Sequence, residues 1–255
     1  IMAITIKSER EIELMAEAGK ILERVHNELE KALRPGMSTK DIDTLGEEII
    51  RSYGCIPSFL NYNGYPASIC VSVNQEVVHG IPDKHRIIQE GDIVSLDAGV
   101  IYKGYHSDAA RTHAVGEVSE EAKKLIQVTK ESFFEGIKFA KAGNHLFDIS
   151  GAIGRYAEER GYGVVRDLCG HGIGTALHEA PEIPNYEVGR KGVRLRPGMT
   201  LAIEPMINIG THEVDWLDDD WTVVTRDGSL SAHYENTILI TEGEPRILSL
   251  TCENE

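Results

Sequence analysis

The sequence predicts an α+β fold of two pseudo-twofold halves, and three observations carry that prediction. Two helix pairs recur, β-like sequence follows each pair, and landmarks in the pairs match at one constant offset. Ser8 and Glu11 have capping-box spacing, and Ile12, Met15, Ile21, Leu22, Val25, Leu29 and Leu33 recur at helical intervals up to Pro35-Gly36. A second helix is predicted from about Thr39 to Tyr53, with Ile42, Leu45 and Ile49 on one face and Gly54 as its stop. Ser119 opens a third, carrying Leu125, Phe133 and Ile137 to Ala142-Gly143. A fourth carries Ile149, Ile153 and Tyr156 to Gly161. Gly36, Asp41-Ile42 and Gly54 map onto Gly143, Asp148-Ile149 and Gly161 at an offset of 107. Asp92 to Val115 reads as two strands around Lys103-Gly104, while Met199 to Ile209 and Leu230 to Thr241 read as strands flanking an acidic loop. Four long helices would cover one face of a curved antiparallel sheet. No linker or low-complexity stretch intervenes, so a single domain over 1–255 is expected, with halves at roughly 8–115 and 119–241.

Composition narrows the class. Of 255 residues, 26 are basic and 41 acidic, a net charge of −15. The pI near 5.1 argues against a general affinity for DNA, RNA or anionic membranes. No uncharged apolar run approaches the ~18–20 residues of a membrane helix, and charged residues from Lys7 onward leave no room for a signal peptide. Cys55, Cys70, Cys169 and Cys252 show no paired spacing, which suits a reduced cytoplasm rather than a disulfide scaffold.

The anomaly is charge inside apolar strands. Asp97 interrupts Ile93-Val94-Ser95-Leu96, Glu204 sits between Leu201-Ala202-Ile203 and Pro205-Met206-Ile207, and Glu235 adjoins Thr237-Ile238-Leu239-Ile240. A buried carboxylate must be paired, protonated or bound to a metal. Cationic partners are scarce, Arg111 being the nearest for Asp97 and Asp108. Asp97 and Asp108 have opposite parity, so a bulge-free hairpin with a two- or four-residue loop puts both on one face, within reach of a shared ion. Oxygen ligands suit Mg, Mn or Fe(II), and a histidine shifts the preference toward a transition metal. Five histidines compete to complete the site. His171 lies in Gly170-His171-Gly172-Ile173-Gly174, His178 seven residues on and His79 before Gly80, while His106 and His233 each stand two residues before an acid. Spacing alone does not rank them.

Leu96-Asp97-Ala98-Gly99, His106-Ser107-Asp108, Gly170-His171-Gly172-Ile173-Gly174, Ile203-Glu204-Pro205 and Tyr234-Glu235-Asn236-Thr237 together resemble the signature segments of the methionine aminopeptidases. The likeness runs in order from Ile4 to about Leu250 and implies the duplicated "pita-bread" fold of those metal-dependent hydrolases. Glu204 follows His178 by only 26 positions, too few for the helical insertion of type II enzymes, and no cysteine-rich zinc-binding extension is expected before the first helix. The similarity is therefore to the short, bacterial type I form.

By that resemblance, Asp97, Asp108, His171, Glu204 and Glu235 would hold two divalent ions, drawn from Co, Mn, Fe(II), Ni or Zn. Asp108 and Glu235 would bridge them, Asp97 would chelate one, and His171 with Glu204 would bind the other. Two cations about 3.5–4 Å apart hold a bridging water, lower its pKa and polarise a scissile carbonyl. The implied reaction is removal of N-terminal methionine when the second residue is small. Glu204 would shuttle the proton, His178 would bind the substrate amide and aid the oxyanion, and His79 would assist the peptide or leaving amine.

The matching side-chain pocket is Phe59, Tyr62, Tyr65, Cys70, Leu177 and Trp221, where Phe59 and Leu177 replace the Cys and Phe that the family pattern leads one to expect. Asn74, Glu76 and Ser231 match a monovalent-cation site built largely from carbonyl oxygens. Implied partners are N-termini of nascent polypeptides, handled by a cytoplasmic monomer. Arg190, Lys191, Arg194 and Arg196 form the densest basic cluster, read either as a transient ribosome contact or as a solvated loop. Two rivals stand beside this reading. A Xaa-Pro aminopeptidase or dipeptidase of the same fold usually carries an extra N-terminal domain. A non-catalytic binding protein on the fold would be expected to have lost ligands, whereas all five positions are filled.

Overall fold

A computed structural model describes residues 3–250; Cys252 lies outside them, and Cys55, Cys70 and Cys169 are free thiols. Helix α1 spans Glu9–Ala32, and the Ser8–Glu11 capping box closes its start. Its Leu22, Val25 and Leu29 pack with Ile42, Ile49 and Ile50 of α2 (Thr39–Ser52) against Val94, Leu96, Ala98 and Val100. Each buried Leu, Ile or Val side chain there contributes about 1.5–3 kcal/mol. Helices α3 (Glu120–Ile137) and α4 (Leu146–Glu158) serve the other half, where Phe133, Ile149 and Ile153 meet Leu201, Ile203 and Ile238. Helix α3 stops short of Ala142-Gly143. The Phe139 and Ala140 amides donate three residues back, to Gly136 and Ile137, which tightens the last turn and ends the helix.

The helices cover a nine-stranded antiparallel sheet. Its main path runs Ile56–Pro57, Ile93–Tyr102, Tyr105–Ala114, Glu235–Leu239, Thr200–Ile203, Gly170–Gly172, Glu179–Ile183. Ile69–Val73 joins Ile93–Tyr102, and Arg246–Ile247 joins Glu235–Leu239. Two three-stranded sheets flank it. The strands predicted over 199–209 and 230–241 each break in two, at Glu204-Pro205 and at Tyr234, and their halves belong to different sheets. Pro205 has no N–H to continue a ladder, and its carbonyl instead accepts the Tyr234 amide at 3.2 Å. Both breaks thus meet at one point.

The internal match extends to hydrogen bonds. Gly36 donates to Ile88 and Ile88 to Met37, as Gly143 donates to Leu195 and Leu195 to Asn144, every partner shifted by 107. Asp41 and Asp148 accept the main-chain amides of Ser38 and His145 in the same way, each at 2.8 Å. Past the hairpins the offset becomes 125, because the second half has a longer loop there: Val115 pairs with Gly91 and Asp92 as Ile240 pairs with Gly198 and Met199. Ala110 and Glu235, equivalent under that second offset, face each other across the seam. Among the described residues no helix is long and apolar enough to cross a membrane.

Candidate metal centre

The Ile93–Tyr102 and Tyr105–Ala114 strands turn on the two-residue loop Lys103-Gly104, both residues at positive φ. This register pairs Asp97 with Ala110 and Gly99 with Asp108, so both carboxylates emerge on one face. Glu235 faces Ala110 across the seam. On its other side Asn236 pairs with Ile203, which leaves Glu204 at the end of its strand beside Glu235. His171 pairs with Ala202. A Cβ at Gly170 would lie 2.4 Å from the Ala202 carbonyl oxygen, and one at Gly172 would lie 2.2 Å from that of Ala180. Only glycines permit that approach.

Four carboxylates and His171 therefore converge from five strand segments. His171 Nε2 stands 3.8 Å from Asp108 Oδ2 and 3.6 Å from Glu204 Oε1, while its Nδ1 donates to the Gly172 carbonyl at 2.9 Å. That bond fixes the tautomer with a free Nε2 lone pair. Arg111 does not neutralise the cluster. Its guanidinium donates to the main-chain carbonyls of Ala110 and Glu235 and to Asn236 Oδ1. Burial pushes Asp97 up to about 7. Burial first, and neighbouring carboxylates second, hold Asp108, Glu204 and Glu235 well above the usual range. Burial takes His171 down to about 3.

Those groups fit a divalent ion. Asp97 Oδ1, Asp108 Oδ1 and Glu235 Oε1 are buried without a hydrogen-bond partner among the described residues. Asp97, His233 and Glu235 form one set of donor atoms lying within 4.8 Å of one another, and Asp108, His171 and Glu235 form a second. Carboxylate oxygen with imidazole nitrogen suits Mn, Fe(II), Co, Ni or Zn.

The cluster opens into a cavity of about 310 Å³ whose other walls include Phe59, Tyr62, Tyr65, Cys70, Leu177 and Trp221, with His79 and His178. His178 Nδ1 is 2.8 Å from the Tyr62 hydroxyl, and its ring lies 4.0 Å from that of His171. His79 is held at φ 59 before Gly80, whose carbonyl accepts from Val71, and its ring stands edge-on to Trp221. Burial lowers His178 and takes His79 down to about 4, which keeps both neutral near pH 7. His106 is different: its Nδ1 meets Ser58 Oγ at 2.9 Å, away from the cavity.

Asn74, Glu76 and Ser231 gather elsewhere. The Ser231 amide donates to the Asn74 carbonyl, and Glu76 takes the Val73 amide and pairs with Arg86. In the basic loop, Arg190 lies 5.4 Å over the Phe147 ring and Arg194 donates to Gly143. Sequence reasoning missed Asn63, a cavity-lining residue at φ 49; its only signal was the Asn-Tyr-Asn-Gly turn composition. It also left His233 unranked, although that ring lies among the acids.

The family model "Metallopeptidase family M24" matches residues 13–242. A methionine aminopeptidase of Clostridium acetobutylicum is 58% identical over 250 residues, covering 98% of this chain and 100% of the relative. The crystal structure of a methionine aminopeptidase from Thermotoga maritima superposes with a TM-score of 0.95 at 47% identity, covering 98% and 100% of the two chains. A Xaa-Pro dipeptidase from Bacillus anthracis gives a TM-score of 0.77 at 28% identity, and 96% of this chain covers only 62% of that one. The pita-bread architecture and the metal-dependent hydrolase class follow from these matches: the chain belongs to metallopeptidase family M24, among its methionine aminopeptidases.

Proposed function

We propose that the chain removes N-terminal methionine from polypeptides whose second residue is small. The observation that supports this reading is a single cavity joining the acid cluster to an apolar recess. A thioether side chain fits between Phe59, Tyr65, Cys70, Leu177 and Trp221 while the first peptide bond lies against the carboxylates.

In this reading Asp97, Asp108, His171, Glu204 and Glu235 hold two divalent ions. When bound, such ions activate water and polarise a carbonyl. Glu204, partly exposed at the cluster's edge, takes the proton from the attacking water and passes it to the leaving amine. Neutral His178, steered by Tyr62, donates to the scissile carbonyl as negative charge develops. His79, edge-on to Trp221 in the cavity wall, hydrogen-bonds the peptide. A monovalent cation at Asn74, Glu76 and Ser231 would serve to brace the 73–76 turn. Nascent chains are the substrates, and the loop bearing Arg190 and Arg194 is the basic surface available to a ribosome.

The test compares Met-Ala-Ser with Ala-Pro-Ser after chelator treatment, titrating Mn or Co and following release of the first residue. Methionine release that requires metal and is lost in Asp97→Asn is the expected outcome. Release from the proline peptide alone would transfer the chain to the rival activity.

Phe59 and Leu177 line the cavity and belong to one apolar cluster, so a larger and a smaller residue offset each other. Leu177→Phe alone overfills the recess and raises KM for Met-Ala-Ser about tenfold, an overpacking cost of roughly 1–3 kcal/mol. Phe59→Ala widens it and admits N-terminal Leu or Phe. Unchanged KM and side-chain selectivity in both variants would place the methionine subsite elsewhere.

A further inference from the structure

We propose that His233 is an additional protein ligand of the metal centre, its Nε2 binding a divalent ion together with Asp97 and Glu235. The inference rests on the metal-centre reading above and extends its donor set to a second imidazole.

Geometry is the first support. His233 Nε2 lies 3.7 Å from Glu204 Oε2 and 3.8 Å from Glu235 Oε2. His171 Nε2 stands at 3.6 Å from the other Glu204 oxygen and 3.8 Å from Asp108. The two rings thus flank Glu204 in the same way. These separations are too long for hydrogen bonds. They approach the spacing of atoms that share an ion, since ligands about 2.0–2.2 Å from one metal stand roughly 3–4 Å apart.

Satisfaction of the ring is the second. His233 is 1% exposed, and neither ring nitrogen has a hydrogen-bond partner among the described residues. A buried imidazole is otherwise paired. Its main chain is fixed by Thr112, whose hydroxyl both accepts from the His233 amide and donates to its carbonyl at 2.9 Å. Behind it lies a cavity of about 280 Å³ that His233 also borders, with room for the water that the second ring nitrogen needs.

Pseudosymmetry is the third. The offset of 107 relates Asp97 to Glu204, and the offset of 125 that relates Val115 to Ile240 also relates Asp108 to His233. His233 therefore occupies in the second half the place that Asp108, a proposed ligand, holds in the first. A centre with two imidazoles favours Fe(II), Co, Ni or Zn over Mg.

The test is Co(II) binding to the chelator-stripped full chain, read by calorimetry and by paramagnetic proton NMR. Wild type should show two far-shifted, exchangeable imidazole N–H signals. His233→Gln and His233→Leu should show one and bind one equivalent of Co(II) about 10–100-fold more weakly, with metal-free melting temperatures near wild type. His106→Gln should bind as wild type. A single far-shifted signal in wild type, or unchanged affinity in both His233 variants while Asp97→Asn loses Co(II), overturns the additional ligand and leaves the centre standing. Failure of wild type to bind Co(II) at all overturns the underlying reading, and this inference with it.

Discussion

In Glu204→Gln, turnover of Met-Ala-Ser falls by about 10²–10⁴-fold while the protein stays folded. The backbone at this position is anchored independently of the side chain, because the Glu204 carbonyl accepts from Asn185 Nδ2 at 3.1 Å. The amide is nearly isosteric with the carboxylate, so the strand end and the Pro205 break survive. What disappears is the ability to carry a proton, together with one negative charge between His171 and His233. The apolar recess is built from other residues, so KM moves far less than kcat. Steady-state rates in saturating Mn, paired with circular dichroism, check the expectation; a kcat within tenfold of wild type would take the proton transfer away from Glu204.

The second large effect is on stability. Without divalent ion, the melting temperature falls as pH rises above about 6.5, and saturating Mn removes that loss. Asp97 sits at about 7 in the fold, against 3.8 ordinarily, and Asp108, Glu204 and Glu235 also lie well above their usual values. Between the unfolded and folded values the folded protein binds more protons, so these groups favour it at low pH and cost stability as pH rises through the folded values. The histidines act oppositely. His79 and His106 are lowered to about 4, and His171 and His233 to about 3, so the unfolded chain binds more protons below 6.5 and their contribution is lost as pH falls. From about 4 to 6.5 the two sets oppose each other; above 6.5 the carboxylates act, joined toward pH 8.5 by the Cys55, Cys70 and Cys169 thiols, which burial raises and which act in the same direction. An ion at 100 times its Kd adds about 2.7 kcal/mol, roughly 5–10 °C for a chain of this size. Calorimetric scans from pH 5.5 to 8.5, in chelator or in Mn, measure it. A flat or rising metal-free profile above pH 6.5 would contradict the burial of four uncompensated acids.

Much of this was legible in the residues. Asp97 and Asp108 could be set on one face from parity, because the hairpin closes on a two-residue loop with no bulge. Helix starts were legible because Ser8, Ser38 and Ser119 cap locally. Illegible features were those decided by what lies opposite. His106 and His233 have the same spacing to an acid, yet Ser58 satisfies one and carboxylates surround the other. Arg111 was the nearest cation to Asp97 and Asp108, but the adjacent Ala110 carbonyl, with the Glu235 carbonyl and Asn236 Oδ1 across the seam, claims its donors. Nor does sequence periodicity reveal that the chain changes sheets at Pro205 and Tyr234, since apolar residues continue on both sides.

Helix α1 crosses the Leu248 carbonyl so closely that a Cβ at Gly19 would stand 1.9 Å from its oxygen. Leu248 donates to the Thr237 carbonyl, and Ser249 Oγ bonds both the Thr237 amide and Asn236. The opening helix and the 246–249 strap are thus sewn to the strand that carries Glu235. Contacts between segments far apart in sequence form slowly, since a long loop must close before they reward it. A polypeptide still being synthesised, with residues 246–249 not yet made, already contains every proposed donor but not the strap that seats Glu235. Seating of Glu235 during synthesis therefore waits until residues 246–249 have been made and have docked.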